Sequence, residues 1–273
     1  MANESAFKPF YSVLILAFVC SFMVASASVG LRSRQHVNQQ LERKKNILRA
    51  AGLYKPGIPV EQLFTAIDSR IINLRTGKFV TSKEIDPKSF NQRQAANNPA
   101  TSRALDKGMD IAGLNRLENY SWVYLVKNGN KISQIILPIR GSGLWSTMYG
   151  YVSIDGDLST VRGITFYEHG ETPGLGGEIE NPKWQAGWRG KKIYGKSGKV
   201  DFKVIKGGIK AQGEAALHQV DGISGATLTS NGVDHLLHFW FGNHGFKPFL
   251  KQIRQKMDKH STSTKLTGKQ NNE

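Results

Sequence analysis

The sequence predicts an α+β protein: a single N-terminal transmembrane helix, then a globular domain of mostly antiparallel sheet with flanking helices. Three observations predict it. Residues 10–31 run for 22 positions without an Asp, Glu, Lys or Arg. As a helix they would measure about 33 Å, against a hydrocarbon core of about 30 Å. Asn128-Gly129 separates two strand-like runs, and Val233, Leu236, Leu237, Trp240 and Phe241 recur at helical spacing.

Composition narrows the class. Of 273 residues, 39% are hydrophobic and 10% aromatic, enough for a core and against wholesale disorder. One cysteine, Cys20, excludes an intramolecular disulfide framework, a cysteine zinc site and a self-contained iron–sulfur cluster. It lies inside the apolar run, where a lipid-facing or helix-packing thiol is its plain role. The formal charge of +16 invites a polyanion partner, but residues 1–50 carry +5 of it and residues 251–273 carry +4. The 200 residues between hold only +7, weak support for a nucleic-acid surface.

The apolar run has two readings: a retained anchor by its length, or a secretory signal by Ala25-Ser26-Ala27, an A-x-A cleavage pattern. Lys8 alone precedes it, whereas Arg32, Arg34, Arg43, Lys44, Lys45 and Arg49 follow, so a literal positive-inside count would leave the C-terminal part in the cytoplasm. Residues 34–51 read as an exposed helix ended by Gly52 and Pro56. Residues 61–68 read as a short helix, and 71–80 as two short strands around Thr76-Gly77. Residues 82–117 are weakly patterned and read mostly as loop. Residues 120–127 and 131–140 form a hairpin, 149–154 and 161–167 are further strands around Asp155-Gly156-Asp157, and 200–205 is another. A helix opens near Ser230, with Thr229 or Ser230 as N-cap, and stops at Gly242. Residues 259–273 are polar and read as disordered.

Three segments carry candidate chemistry. Asp221-Gly222-Ile223-Ser224-Gly225-Ala226-Thr227 is a turn of small and hydroxyl side chains before a helix N-terminus, which favours an anion such as phosphate; an ordinary capped loop fits the same residues. The segment itself holds no Gly-Lys-Ser/Thr triplet, so it is not a P-loop. His169-Gly170-Glu171-Thr172-Pro173-Gly174-Leu175-Gly176-Gly177-Glu178 could lie close to a planar ligand. Its plainer reading is a connecting loop with His169 and Glu171 solvated, and those two are too few for a metal. Gly141-Ser142-Gly143-Leu144-Trp145-Ser146 sets an indole on a glycine-flanked turn, for stacking or for the core. His235 and His238, three apart, read as surface or interface histidines rather than metal ligands.

Together these segments resemble the periplasmic FMN-binding domain family. Asp221 followed by Ser224-Gly225-Ala226-Thr227 is similar to that family's covalent flavinylation motif, and the Glu-Thr-Pro-Gly-Leu-Gly and Gly-Leu-Trp segments resemble its other loops. With the anchor and the total length, the match from the anchor to about Phe249 resembles the C-subunit family of Na+-translocating NADH:quinone reductases. The resemblance implies FMN joined by a phosphoester to Thr227, with Asp221, Ser224, Gly225 and Ala226 read by a flavin transferase. It implies Trp145, Thr172, Leu175 and Gly176 bordering the isoalloxazine. Thr229 lies outside the motif's register.

The same resemblance implies an electron relay between an iron–sulfur centre in membrane subunits and the flavin of the B-subunit, with the B-, D- and E-subunits as partners. NADH oxidation and ubiquinone reduction belong to other subunits, in keeping with the lack of a Rossmann fingerprint here. It implies an inner-membrane protein with its domain in the periplasm, against the charge count. The divisions expected are a cytoplasmic 1–9, an anchor 10–31, a membrane-proximal 32–117, an FMN-binding domain 118–250 and a basic tail 251–273. Three alternatives stand beside this reading. They are the G-subunit of the related electron-transport complex, a membrane-anchored polyanion-binding protein without redox activity, and a noncovalent FMN protein or flavin enzyme acting alone.

Overall fold

A computed structural model of the chain describes residues 7–129 and 131–269. It divides into two compact units, residues 1–45 and 46–273. The first holds most of helix α1 (Lys8–Ala50). Within α1, Lys8–Gln35 spans 28 residues at mean hydropathy 2.3, long and apolar enough to cross a membrane by length and composition. Its large apolar side chains, Phe10 through Leu31, are exposed, and so is Cys20, a surface that suits lipid rather than water.

In the second unit the last turn of α1 ends as its sequence predicts. Gly52 adopts φ 67°, its N–H donates to the Arg49 carbonyl, and the Leu53 N–H reaches back 2.8 Å to the Leu48 carbonyl. Glycine takes this left-handed position without a Cβ penalty. Ile47, Leu48, Ala50 and Ala51 are buried with Trp122, Tyr124, Ile136 and Tyr151.

The centre of the unit is a five-stranded antiparallel sheet of β1 (Ile67–Asn73), β4 (Tyr120–Asn128), β5 (Lys131–Ser142), β6 (Thr147–Asp155) and β7 (Val161–Glu168), in that spatial order. Asn128 pairs with Lys131, and Gly129 takes φ 58°, as the Asn-Gly turn demands. The sheet is covered on both faces. Trp122 and Tyr124 face the α1 terminus, while Val123, Leu125, Ile135, Leu137 and Val152 join the larger core. Helices α5 (Thr227–Trp240) and α6 (Lys247–Lys269) supply the other wall of that core. Val233, Leu236, Leu237 and Trp240 repeat at i, i+3, i+4, i+7 and are fully buried, worth about 1.5–3 kcal/mol for each such side chain removed from water.

Several elements differ from expectation. Helix α2 is only Val60–Phe64, because Ile67 and Asp68 already belong to β1. There Asp68 pairs with Arg70 and with Lys127 of the neighbouring strand. After Thr76-Gly77 the second strand shrinks to a single bridge, Ile72 to Phe79. The stretch read as loop holds α3 (Gln92–Asn97), capped by the Asn91 side chain, and a short antiparallel pair, β2 (Ser102–Ala104) with β3 (Arg116–Glu118). Residues 46–117 therefore fold within one unit with residues 118–250. Of 200–205 only β8 (Lys203–Ile205) is strand, and it runs parallel to β9 (Gln219–Asp221). Residues 259–269 are helical, the end of α6; 270–273 lie outside the described residues.

Candidate functional site

The three segments singled out in the sequence meet at the N-terminus of α5. That helix opens at Thr227, three residues earlier than expected, with Ala226 in the N-cap position. Thr229 and Ser230 are thus inside the first turn rather than caps, and their hydroxyls serve other partners. The Ser230 hydroxyl accepts the Ile223 N–H at 2.9 Å, which folds the preceding turn onto the helix. The Thr229 hydroxyl donates to Glu171. Because alanine has no capping oxygen, the first amides of α5 receive no side-chain cap from Ala226.

The turn before the helix is pinned at Asp221. Its carboxylate accepts the Ile209 N–H at 2.6 Å and its carbonyl accepts the Trp184 indole N–H at 2.8 Å. Trp184 lies on the short helix α4 (Pro182–Ala186) and packs edge-on to the buried Trp188. Ser224 and Gly225 stand exposed, Ala226 is buried, and Thr227 is exposed. Gly225 has φ 73°, and a Cβ there would come 3.0 Å from Leu175, so the turn and the glycine-rich loop touch.

The loop after β7 is built on Thr172, itself exposed, whose carbonyl accepts the N–H groups of Leu175 and Gly177. Gly176 opens a short 3₁₀ turn, Gly176–Glu180, and is buried. A Cβ on it would meet the Thr229 hydroxyl at 2.5 Å and Glu171 Oε2 at 2.7 Å. Across from it, the turn of residues 143–146 closes with the Gly143 N–H on the Ser146 carbonyl, and the Ser146 hydroxyl accepts the Gly170 N–H at 2.6 Å. Trp145 projects from that turn 69% exposed, while Leu175 and Leu228 are 44% and 59% exposed.

Glu171, read from the sequence as solvated, is instead 4% exposed. Its Oε1 accepts the Trp145 N–H at 2.9 Å, Oε2 accepts from Thr229, and its own N–H donates to His169 Nδ1. Burial alone would push this carboxyl up, but the Thr229 hydroxyl and the amides of Trp145, Leu144 and Ser146 hold it below the ordinary glutamate range. His169 is likewise packed in, with Nε2 3.1 Å from Glu180. Nδ1 accepts the Glu171 N–H, while Nε2 makes no hydrogen bond despite that proximity. His238 turns Nε2 onto the Phe202 carbonyl at 2.7 Å. Among the described residues no group of three or more His, Cys, Asp or Glu could hold a metal ion.

Glu171 and Thr229 are thus the residues at the centre of the site that sequence reasoning did not place there. The available signal was a carboxylate flanked by glycines in one segment and a Gly-x-Gly turn in another, both needing room for something.

Comparison with known proteins agrees with this geometry. Residues 143–242, which contain two of the three segments whole and the third from Gly143 onward, match the family described as FMN-binding domain. The chain is 46% identical over 260 residues to the C-subunit of the Na(+)-translocating NADH-quinone reductase of Pseudomonas aeruginosa, covering 93% of this chain and 99% of that one. It is 47% identical over 258 residues to the C-subunit of the same reductase in Yersinia pestis, covering 93% and 95%. The crystal structure of NqrC from Shewanella oneidensis superposes with TM-score 0.72 at 37% identity, over 78% of this chain and 97% of that one. The C-subunit from Parabacteroides distasonis gives TM-score 0.62 at 30% identity, over 81% and 96%. The chain belongs to the C-subunit family of the Na(+)-translocating NADH-quinone reductases.

Proposed function

We propose that this chain is a flavoprotein electron carrier of a Na+-translocating NADH:ubiquinone reductase, with FMN joined through its phosphate to the Thr227 hydroxyl. The observation that carries the attachment site is the contrast between two threonines two residues apart. Thr227 is exposed at the first position of α5, whereas Thr229 is 1% exposed and its hydroxyl is engaged by Glu171. A transferase can reach the first and not the second.

The residues present fit the group. A phosphate on Thr227 would sit at the positive end of a 14-residue helix whose N-cap residue offers no side-chain acceptor. Trp145 and Leu175 offer an aromatic and an aliphatic face, exposed beside glycine-lined turns, of the kind a planar ring covers. Thr172 and Gly176 shape the loop that carries Leu175, while Asp221, Ser224, Gly225 and Ala226 form the stretch that the transferase reads. FMN held there supplies one-electron redox chemistry, and the chain's own task is to hold, orient and shield it. Covalent attachment keeps the cofactor from diffusing away in the periplasm.

In this reading the helix Lys8–Gln35 is an inner-membrane anchor and the second unit lies in the periplasm, beside the B-, D- and E-subunits. The basic residues after the anchor oppose that orientation only as a bias. Denaturing-gel fluorescence of the chain coexpressed with its flavin transferase tests the attachment. Yellow fluorescence should survive in wild type and Thr229→Val and vanish in Thr227→Val; a fluorescent Thr227→Val overturns the site. A C-terminal reporter active only outside the cytoplasm should be on; a silent one reverses the orientation.

A further inference from the structure

Glu171 is a carboxylate buried in a glycine-rich loop, and it touches each segment of the site. One oxygen takes the Trp145 N–H, and the other takes the Thr229 hydroxyl from the first turn of α5. Both flanking glycines are shaped around it: a Cβ at Gly143 would strike Oε1, and one at Gly176 would lie 2.7 Å from Oε2. Two loops therefore leave out a side chain at the point where they press on the same carboxylate. Such a group is costly to bury unless its acceptor sites are filled, and here hydroxyl and amide donors fill them.

We infer that Glu171 is a positioning residue whose carboxylate clasps the Trp145 turn and the Leu175 loop to the first turn of α5, setting the spacing of the two faces that receive the flavin ring. The inference rests on the FMN reading of the site for what the clasp positions, but the clasp itself exists in the polypeptide. It separates from simple packing by side-chain chemistry. Glu171→Gln keeps both arms, since its carbonyl can accept the Trp145 N–H while its amide donates to the Thr229 hydroxyl, which then acts as acceptor. Glu171→Asp keeps the charge but is one methylene shorter and cannot span both partners.

The test uses the full chain in two forms. In flavin-free Thr227→Val protein, amide exchange at Trp145 should be about tenfold faster in Glu171→Asp, the equivalent of one lost charge-assisted hydrogen bond. In Glu171→Gln, which keeps the hydrogen bond but loses its charge assistance, exchange should rise by clearly less than in Glu171→Asp. In flavin-loaded protein, quenching of flavin fluorescence by Trp145 should be lost in Glu171→Asp and kept in Glu171→Gln. Equal exchange in the Asp and parent chains overturns the clasp, and so does a Gln chain that behaves like Asp. If wild type carries no flavin, the functional reading fails while the exchange measurement still decides the clasp.

Discussion

Two carboxylates in this domain are almost wholly removed from water, and they are handled in opposite ways. Glu118, at the end of β3, is fully buried and meets a cation: Arg140 Nη2 lies 2.7 Å away, while the Gln92 amide donates to its other oxygen at 2.8 Å. Glu171 is held by a hydroxyl and main-chain amides instead. The first arrangement is electrically closed and ties α3 and the β2–β3 pair to the main sheet. The second leaves a net negative charge under the glycine loops, where a functional group would feel it. A buried acid balanced by arginine does structural work; one balanced only by dipoles keeps a field.

The comparison breaks most visibly at Glu118. Glu118→Ala strands the Arg140 guanidinium, itself only 14% exposed, and should cost about 3–5 kcal/mol of unfolding free energy in urea titrations. A loss under about 1 kcal/mol, the scale of a solvated pair, would mean that water reaches the pair. Next comes Gly176→Ala, whose methyl group would press on both Thr229 and Glu171. Overpacking of this kind should cost about 1–3 kcal/mol in the same titration and reduce flavin incorporation, because the Leu175 loop must shift.

How far the sequence disclosed these two places differs in the same way. The hairpin at Asn128-Gly129 and the apolar face of α5 were legible, since turn chemistry and periodicity are local. The start of α5 was misplaced by three residues because Thr229 and Ser230 are good capping residues; tertiary partners took their hydroxyls instead. β2 and β3 escaped notice because three-residue strands carry no period, and their pairing joins residues such as Ser102 and Glu118, far apart in the chain. The polar composition after Lys259 suggested disorder, yet α6 continues to Lys269 from a segment anchored by Phe249, Leu250 and Ile253. The Asp221 to Thr227 stretch stood out in the sequence as a pattern of small and hydroxyl residues before a helix. The burial of Glu171 was not, because it depends on glycines 28 residues upstream and five downstream.

Acid should sharpen the contrast. The Glu171 carboxyl is held below its ordinary value near 4.5, so it contributes stability that is present above that value. The contribution is lost as pH falls through the lowered folded-state pKa. Wild type should therefore be more stable than Glu171→Gln near neutrality, and the gap should close on acidification below about pH 4.5. Because Asp68 and Asp157 are also held low, both chains lose stability in acid, and the informative quantity is their difference. A gap that stays constant with pH would show that the charge of Glu171 plays no part.

The smallest effect on stability belongs to the largest side chain at the site. Trp145 hangs from a turn fixed through its own backbone N–H, and 69% of it is exposed. Its indole therefore contributes little to the core, and Trp145→Ala should change unfolding free energy by no more than about 0.5 kcal/mol. The same substitution removes one of the two faces proposed for the flavin ring, so fluorescence of the bound flavin should rise while the proposed Thr227 linkage still forms. Glu171→Asp should release the indole without deleting it and give the same brightening. If Trp145→Ala instead destabilises the domain as much as Gly176→Ala, the indole belongs to the core. The exposed apolar faces would then need another explanation than a flavin lying against them.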